Sequence, residues 1–182
     1  MSKIIIPISN GFEEIEAITI IDVCRRANID VTIAALENIQ TIGAHNIKVE
    51  ANCMVDEINT SDFDMIVLPG GVPNAFTLAE NEKVQSPLKE FKSQNKNIGA
   101  ICAAPYALYK ADVLNENYTC YPSFETKIKD NGYHADDAIV IDGKVITSRG
   151  PATAMSFALE IVNILCGEET FNNVRNGLLA KD

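Results

Sequence analysis

Four short runs in this chain are apolar at almost every position. They are Lys3–Ile8 (K-I-I-I-P-I), residues 31–36 (V-T-I-A-A-L), residues 64–68 (D-M-I-V-L) and Asn97–Ile101 (N-I-G-A-I). None shows the in-out alternation of a strand with one wet face, so each needs cover on both sides. Helical segments lie between them. Residues 13–27 begin with acidic side chains and end with Arg25 and Arg26, the order a helix dipole favours. Residues 82–94 read as an exposed helix. This alternation predicts an α/β fold with a mostly parallel central sheet covered by helices on both faces.

The remaining segments fit around that core. Residues 40–57 mix β and turn signals and predict a small hairpin. Residues 103–111 predict a helix with Pro105 in its first turn, where proline is tolerated. Residues 118–121 are a strand candidate. Residues 138–141 and 145–147 predict a hairpin around a two-residue turn at Asp142 and Gly143. Met155, Ala158, Leu159 and Val162 share one face of a last long helix, and a short helix follows around Glu168–Gly177. There is no linker, repeat or low-complexity run, so residues 1–182 read as a single domain.

Composition narrows the function. Hydrophobic residues make up 47% of the 182, enough for a full core. With 15 Lys and Arg against 25 Asp and Glu, the net charge is −10. Such a field repels phosphate backbones and anionic lipid, so neither nucleic acid nor membrane is expected as a partner. No apolar run is long enough to span a bilayer, and the start M-S-K-I-I-I-P-I-S-N lacks the form of a signal peptide. The reading is of a cytoplasmic protein. Five cysteines occur (Cys24, Cys53, Cys102, Cys120 and Cys166), with no C-x-x-C spacing and only His45 and His134 as imidazoles. No metal site is expected, and the thiols should be free.

In open α/β sheets, ligands bind at the carboxyl ends of strands. Three places here answer to that: the turn after Ile8, the Pro69–Gly70–Gly71 loop after Leu68, and Cys102 after Ile101. The segment N-I-G-A-I-C-A-A-P sets Cys102 where a buried strand turns into a helix, the layout of a nucleophile elbow. A helix N-terminus beside the sulfur would lower its pKa. A buried cysteine in an Ala-rich core strand is the plain alternative. The glycine pair lets backbone N–H groups approach a ligand or oxyanion, though an ordinary strand-end turn looks the same. Glu16, between Ile15 and Ala17, begins an apolar stretch. On a partly buried helix face its carboxyl pKa would rise, whereas Glu13 and Glu14 suit an exposed first turn. No phosphate-binding G-x-x-x-x-G-K-[ST] loop occurs.

The motifs G-F-E-E-I-E-A, D-x-x-R-R-A, V-L-P-G-G, A-I-C-A-A-P and T-S-R-G-P, in that order across nearly the whole chain, resemble the ThiJ/PfpI superfamily. The resemblance is to its YajL-like branch, related to the parkinsonism-associated deglycase. It implies a flavodoxin-like sandwich, a homodimer, and a site made by Cys102 as nucleophile, Glu16 as general acid/base and the backbone of Gly71, with Ala103 supplying a second N–H at the elbow. It also implies that Asp22 and Arg26 lie near the dimer interface and the site, that His45 belongs to the dimer contact, and that Cys102 oxidises easily. Tyr121 stands where the human relative has histidine, and Ala103 where the protease branch has one. A late H-x-E of amidotransferases is absent. With no imidazole base in view, peptidase and amidotransferase chemistry lose support.

The resemblance implies a cofactor-independent glyoxalase or deglycase acting on α-oxoaldehydes or glycated side chains. A thiolate beside an ionised carboxylate is a like-charge pair, so Cys102 and Glu16 should share one proton and titrate as a unit. The rival reading is a redox sensor or redox-regulated chaperone, since thiolate character also drives oxidation. A thiazole monophosphate biosynthesis role, a label borne by related chains, has no site to support it.

Overall fold

The computed structural model describes residues 1–128 and 131–180. Its strands are β1 (Lys3–Ile8), β2 (Asp30–Ala35), β3 (Gln40–Ile42), β4 (Lys48–Glu50), β5 (Cys53–Met54), β6 (Met65–Leu68), β7 (Asn97–Ile101), β8 (Ile139–Asp142) and β9 (Val145–Ser148). Its helices are α1 (Glu14–Arg26), α2 (Asn74–Glu80), α3 (Glu82–Ser93), α4 (Pro105–Lys110), α5 (Glu125–Ile128), α6 (Ala154–Cys166) and α7 (Glu168–Gly177). Among the described residues one large sheet runs in the order β5-β2-β1-β6-β7-β9-β8. Every pairing in it is parallel except β8 with β9. This is the expected flavodoxin-like α/β arrangement.

The apolar runs are buried on both sides. Ile4, Ile6 and Ile8 of β1 join one core layer with Val23, Phe157 and Ile161 from α1 and α6. Ile5 joins the opposite layer with Leu78, Leu88 and Phe91 from α2 and α3. β6 splits in the same way, Met65 and Val67 to one side and Ile66 and Leu68 to the other. Each fully buried isoleucine contributes about 1.5–3 kcal/mol relative to exposure. That is why the strands contain so little polar sequence.

Several local expectations are corrected. The hairpin of residues 40–57 is β3 paired with β4, but Cys53–Met54 leaves it and extends the main sheet beside β2. Residues 118–121 form no strand, only a single bridge from Tyr118 to Tyr133. The tight turn of the β8–β9 hairpin is one residue later than expected: Asp142 pairs with Val145, so Gly143 and Lys144 make the turn. Gly143, at φ +59°, supplies the left-handed conformation there. Helix α2 is absent from the sequence-based reading. It is only seven residues long, and its buried side chains include a polar one, Asn74, so no clear apolar stripe announces it.

Candidate active site

The carboxyl ends of β1, β6 and β7 meet at one point, where the strand order turns from β1 to β6 and β7. Cys102 follows β7 directly and adopts φ +64°. A non-glycine residue in this region is strained, by an order of 1–3 kcal/mol, and persists only where its surroundings enforce it. Here the Cys102 N–H donates to the Ser148 carbonyl at 2.9 Å, and the Cys102 carbonyl accepts from the Tyr121 N–H at 2.8 Å. A turn through Ala103 and Ala104 then leads into α4, with Pro105 at its first position. The elbow read from the sequence is present, but the helix after it has only six residues.

Glu16 sits in the first turn of α1 and is fully buried. Its Oε2 accepts from the Gly70 N–H at 2.7 Å. Its Oε1 is buried without a well-formed hydrogen bond. The Cys102 thiol is its neighbour, close enough for each group to alter the other's protonation. Burial raises the Glu16 carboxyl from 4.5 to about 7, against the lowering effects of the Gly70 hydrogen bond and of Cys102, with the Glu13 charge adding to the rise. The expected rise of the Glu16 carboxyl pKa thus matches the structure.

The expectation for the Cys102 thiol does not. Burial pushes its pKa up, and the negative charge and hydrogen bond of Glu16 push it further. The N–H groups of Gly71 and Ala103 act in the opposite sense but are outweighed. The short α4 does not offset the loss of water around a cysteine that is 8% exposed. Both anions together are strongly disfavoured, so one proton stays with the pair near neutral pH.

Sequence reasoning gave Gly70 no separate role from Gly71. A Cβ on Gly70 would lie 2.7 Å from the Cys102 Cβ and 2.8 Å from Glu16 Oε2, so only glycine lets the two side chains flank this loop. Gly71 has φ +92°, and a side chain there would run into the Gly11 carbonyl. Asn74 was missed altogether. It is buried, accepts from both the N–H and the hydroxyl of Ser9, and donates to the carbonyls of Pro69 and Gly70. It ties the glycine loop to the end of β1.

The other residues named from the sequence lie elsewhere. Asp22 and Arg26 pair with each other at 2.7 Å on the exposed face of α1. At 1.5 Å per residue, Arg26 is roughly 15 Å along the helix from Glu16, so it does not line the Cys102 site within this chain. Tyr121 reaches Cys102 through its backbone, while its side chain is half exposed. Glu14, expected on an exposed turn, is buried. The tip of the β3–β4 hairpin folds onto it, with the backbone N–H and Nδ1 of His45 at 2.6 and 2.9 Å from its two carboxylate oxygens. These bonds hold the Glu14 carboxyl low although burial acts to raise it.

The profile of the DJ-1/PfpI family matches residues 2–164. The chain belongs to the DJ-1/PfpI family. Over 182 residues it is 37% identical to Protein DJ-1 homolog B of Arabidopsis thaliana, covering 98% of this chain and 42% of that protein. The chain therefore spans less than half the length of that relative. It is 36% identical over 171 residues to Glutathione-independent glyoxalase DJR-1.2 of Caenorhabditis elegans, covering 93% of this chain and 91% of that one. The crystal structure of Drosophila melanogaster DJ-1beta superposes with a TM-score of 0.95 at 36% identity, over 100% of both chains. No described helix is long and apolar enough to cross a membrane.

Proposed function

We propose that this chain is a cofactor-independent glyoxalase of α-oxoaldehydes such as methylglyoxal and glyoxal, with early glycation adducts as further substrates. The observation that carries the reading is the Cys102–Glu16 pair: a nucleophile on a strained elbow beside a buried carboxyl that titrates near neutral pH. The printed name of the Caenorhabditis relative supports the same chemistry.

In this reading the Glu16 carboxylate takes the thiol proton as the Cys102 sulfur adds to the aldehyde carbon. The proton passes to the aldehyde oxygen, which gives a hemithioacetal. Glu16 then removes the hydrogen from the former aldehyde carbon, leaving an enediolate, and returns that proton to the adjacent carbon, while the hydroxyl proton moves from the oxygen of the first carbon to that of the second. The product of that step is a 2-hydroxyacyl thioester. Water cleaves it to lactate or glycolate and restores the thiol. The N–H groups of Gly71 and Ala103 are the donors for the oxyanion. One carboxyl serves both proton transfers, which is why a pKa of about 7 suits it.

The decisive experiment is incubation with methylglyoxal while lactate is followed. Cys102→Ser should abolish turnover, and Glu16→Gln should lower it by about 10²–10⁴-fold with the thiol intact. Wild-type turnover in Glu16→Gln would remove the carboxyl from the mechanism and leave the redox-sensor reading standing.

We further read the chain as one domain that forms a cytoplasmic homodimer through α1. Ile15 and Ile18 are 58% and 43% exposed there, on the same stripe as Asp22 and Arg26. Five free thiols suit a reducing compartment. Sedimentation at micromolar concentration tests the dimer, and Ile18→Glu should shift it toward monomer.

A further inference from the structure

The middle residue of T-S-R-G-P takes no part in the Cys102–Glu16 pair. Arg149 is half-buried and lines a cavity of about 230 Å³ with Tyr121, Pro122, Gly150 and Pro151. The two segments that form this cavity also hold the nucleophile. Tyr121 donates its N–H to the Cys102 carbonyl, and Ser148, next to Arg149, accepts from the Cys102 N–H. The cavity therefore flanks the elbow.

Two positive features converge on it. Among the described residues, no carboxylate forms an ion pair with the Arg149 guanidinium. Glu125 and Asp136 are acidic groups that share its surroundings: Glu125 and Arg149 both act on Cys120 and Tyr133, and Asp136 acts on Tyr133, yet neither forms an ion pair with Arg149. Arg149 is thus half-buried and has no ion-pair partner among the described residues. The second feature is α6, which starts right after residues 151–153. It has 13 residues, no acidic side chain in its first turn and no side-chain cap at Thr153. The positive end of its dipole is left without an internal counter-charge. The Tyr121 ring packs close to Gly150, where a Cβ would meet its Cδ2 at 3.3 Å, and gives the cavity an apolar wall.

We propose that this cavity binds a carboxylate group of the substrate, with Arg149 as its specificity-determining residue. A planar guanidinium matches a carboxylate through two parallel hydrogen bonds. The chain then prefers α-oxoaldehydes or glycation adducts that carry a carboxylate over neutral ones of the same size. Because the overall field repels anions, a local cation is what such a substrate requires. The inference rests on Cys102 being the reactive centre.

The test is protection of Cys102 from iodoacetamide, read by peptide mass spectrometry, with lactate or its neutral counterpart lactamide as competitor. In the wild type, lactate should protect at about tenfold lower concentration than lactamide. In Arg149→Gln the two should protect equally, and Arg149→Lys should keep a weaker preference. Thermal melts of both variants confirm folding. Equal protection by the two competitors in the wild type overturns the proposal, whatever the variants do. So does a lactate preference that survives in folded Arg149→Gln. Alkylation needs no turnover, so the outcome is independent of whether methylglyoxal is consumed.

Discussion

The backbone N–H of Gly70 donates to Glu16 Oε2 at 2.7 Å, and the face of its α-carbon that lacks a side chain is closed by Cys102. One glycine thus sets both the orientation of the carboxyl and its separation from the sulfur. Asn74 fixes that glycine in turn by binding its carbonyl.

Gly70→Ala should therefore damage activity and stability together. The added methyl would stand 2.7 Å from the Cys102 Cβ and 2.8 Å from Glu16 Oε2, so one side chain must leave its place. Overpacking of this kind costs about 1–3 kcal/mol. Urea unfolding measures the loss, and methylglyoxal turnover should fall with it. An alanine variant with wild-type turnover would show that the loop adjusts freely and that the spacing is unimportant.

The protonation of Glu16 makes stability depend on pH. Its carboxyl titrates at about 7 in the folded chain against 4.5 as the ordinary value. Between those values the native protein holds a proton that the unfolded chain has released. The stabilisation from this group is thus fully present below pH 4.5 and is lost as pH rises through 7. The difference is on the order of 3 kcal/mol. Glu16→Gln, which keeps an acceptor for Gly70, should be more stable than the wild type at pH 8 and close to it at pH 4.5. Chemical denaturation at the two pH values decides; an equal effect at both would mean that the carboxyl is not raised.

The alkylation rate of Cys102 should report the same group. If Glu16 takes the thiol proton, the rate rises through pH 7, where the carboxylate forms. Cys53 and Cys166 are more exposed, and burial still pushes both thiols above 9.0. Their rates should climb only in more alkaline solution. Mass spectrometry of iodoacetamide-treated protein from pH 5 to 10 separates the three. A Cys102 profile that follows Cys53 would refute the role of Glu16 as its base.

Much of this was legible in the sequence because the signals were local. The apolar runs of β1, β6 and β7 fixed the sheet, and the strand-turn-helix sequence around Cys102 fixed the elbow. The burial of Glu16 was readable from its apolar neighbours on α1. The thiol pKa was misjudged because it depends on a balance between burial, a carboxylate and two N–H groups, which no local pattern reveals. Asn74 escaped notice for a related reason: its four partners are backbone and hydroxyl groups of Ser9, Pro69 and Gly70, brought together only by the fold. Glu14 reads as exposed from its own segment because the hairpin that covers it comes some 30 residues later in the chain.

The strained backbone of Cys102 is gripped by Tyr121 and Ser148, both from later segments of the chain. A chain cut off after its first 110 residues has the thiol but neither the Tyr121 N–H nor the Ser148 carbonyl that bend it. Until β9 docks beside β7, Cys102 has no reason to hold a left-handed conformation, and it is an ordinary cysteine at the end of a strand. Completing the site thus depends on contacts distant in sequence, the kind that close at the greatest entropic cost. If Cys102 is the nucleophile we propose, its reactivity belongs to the completed fold.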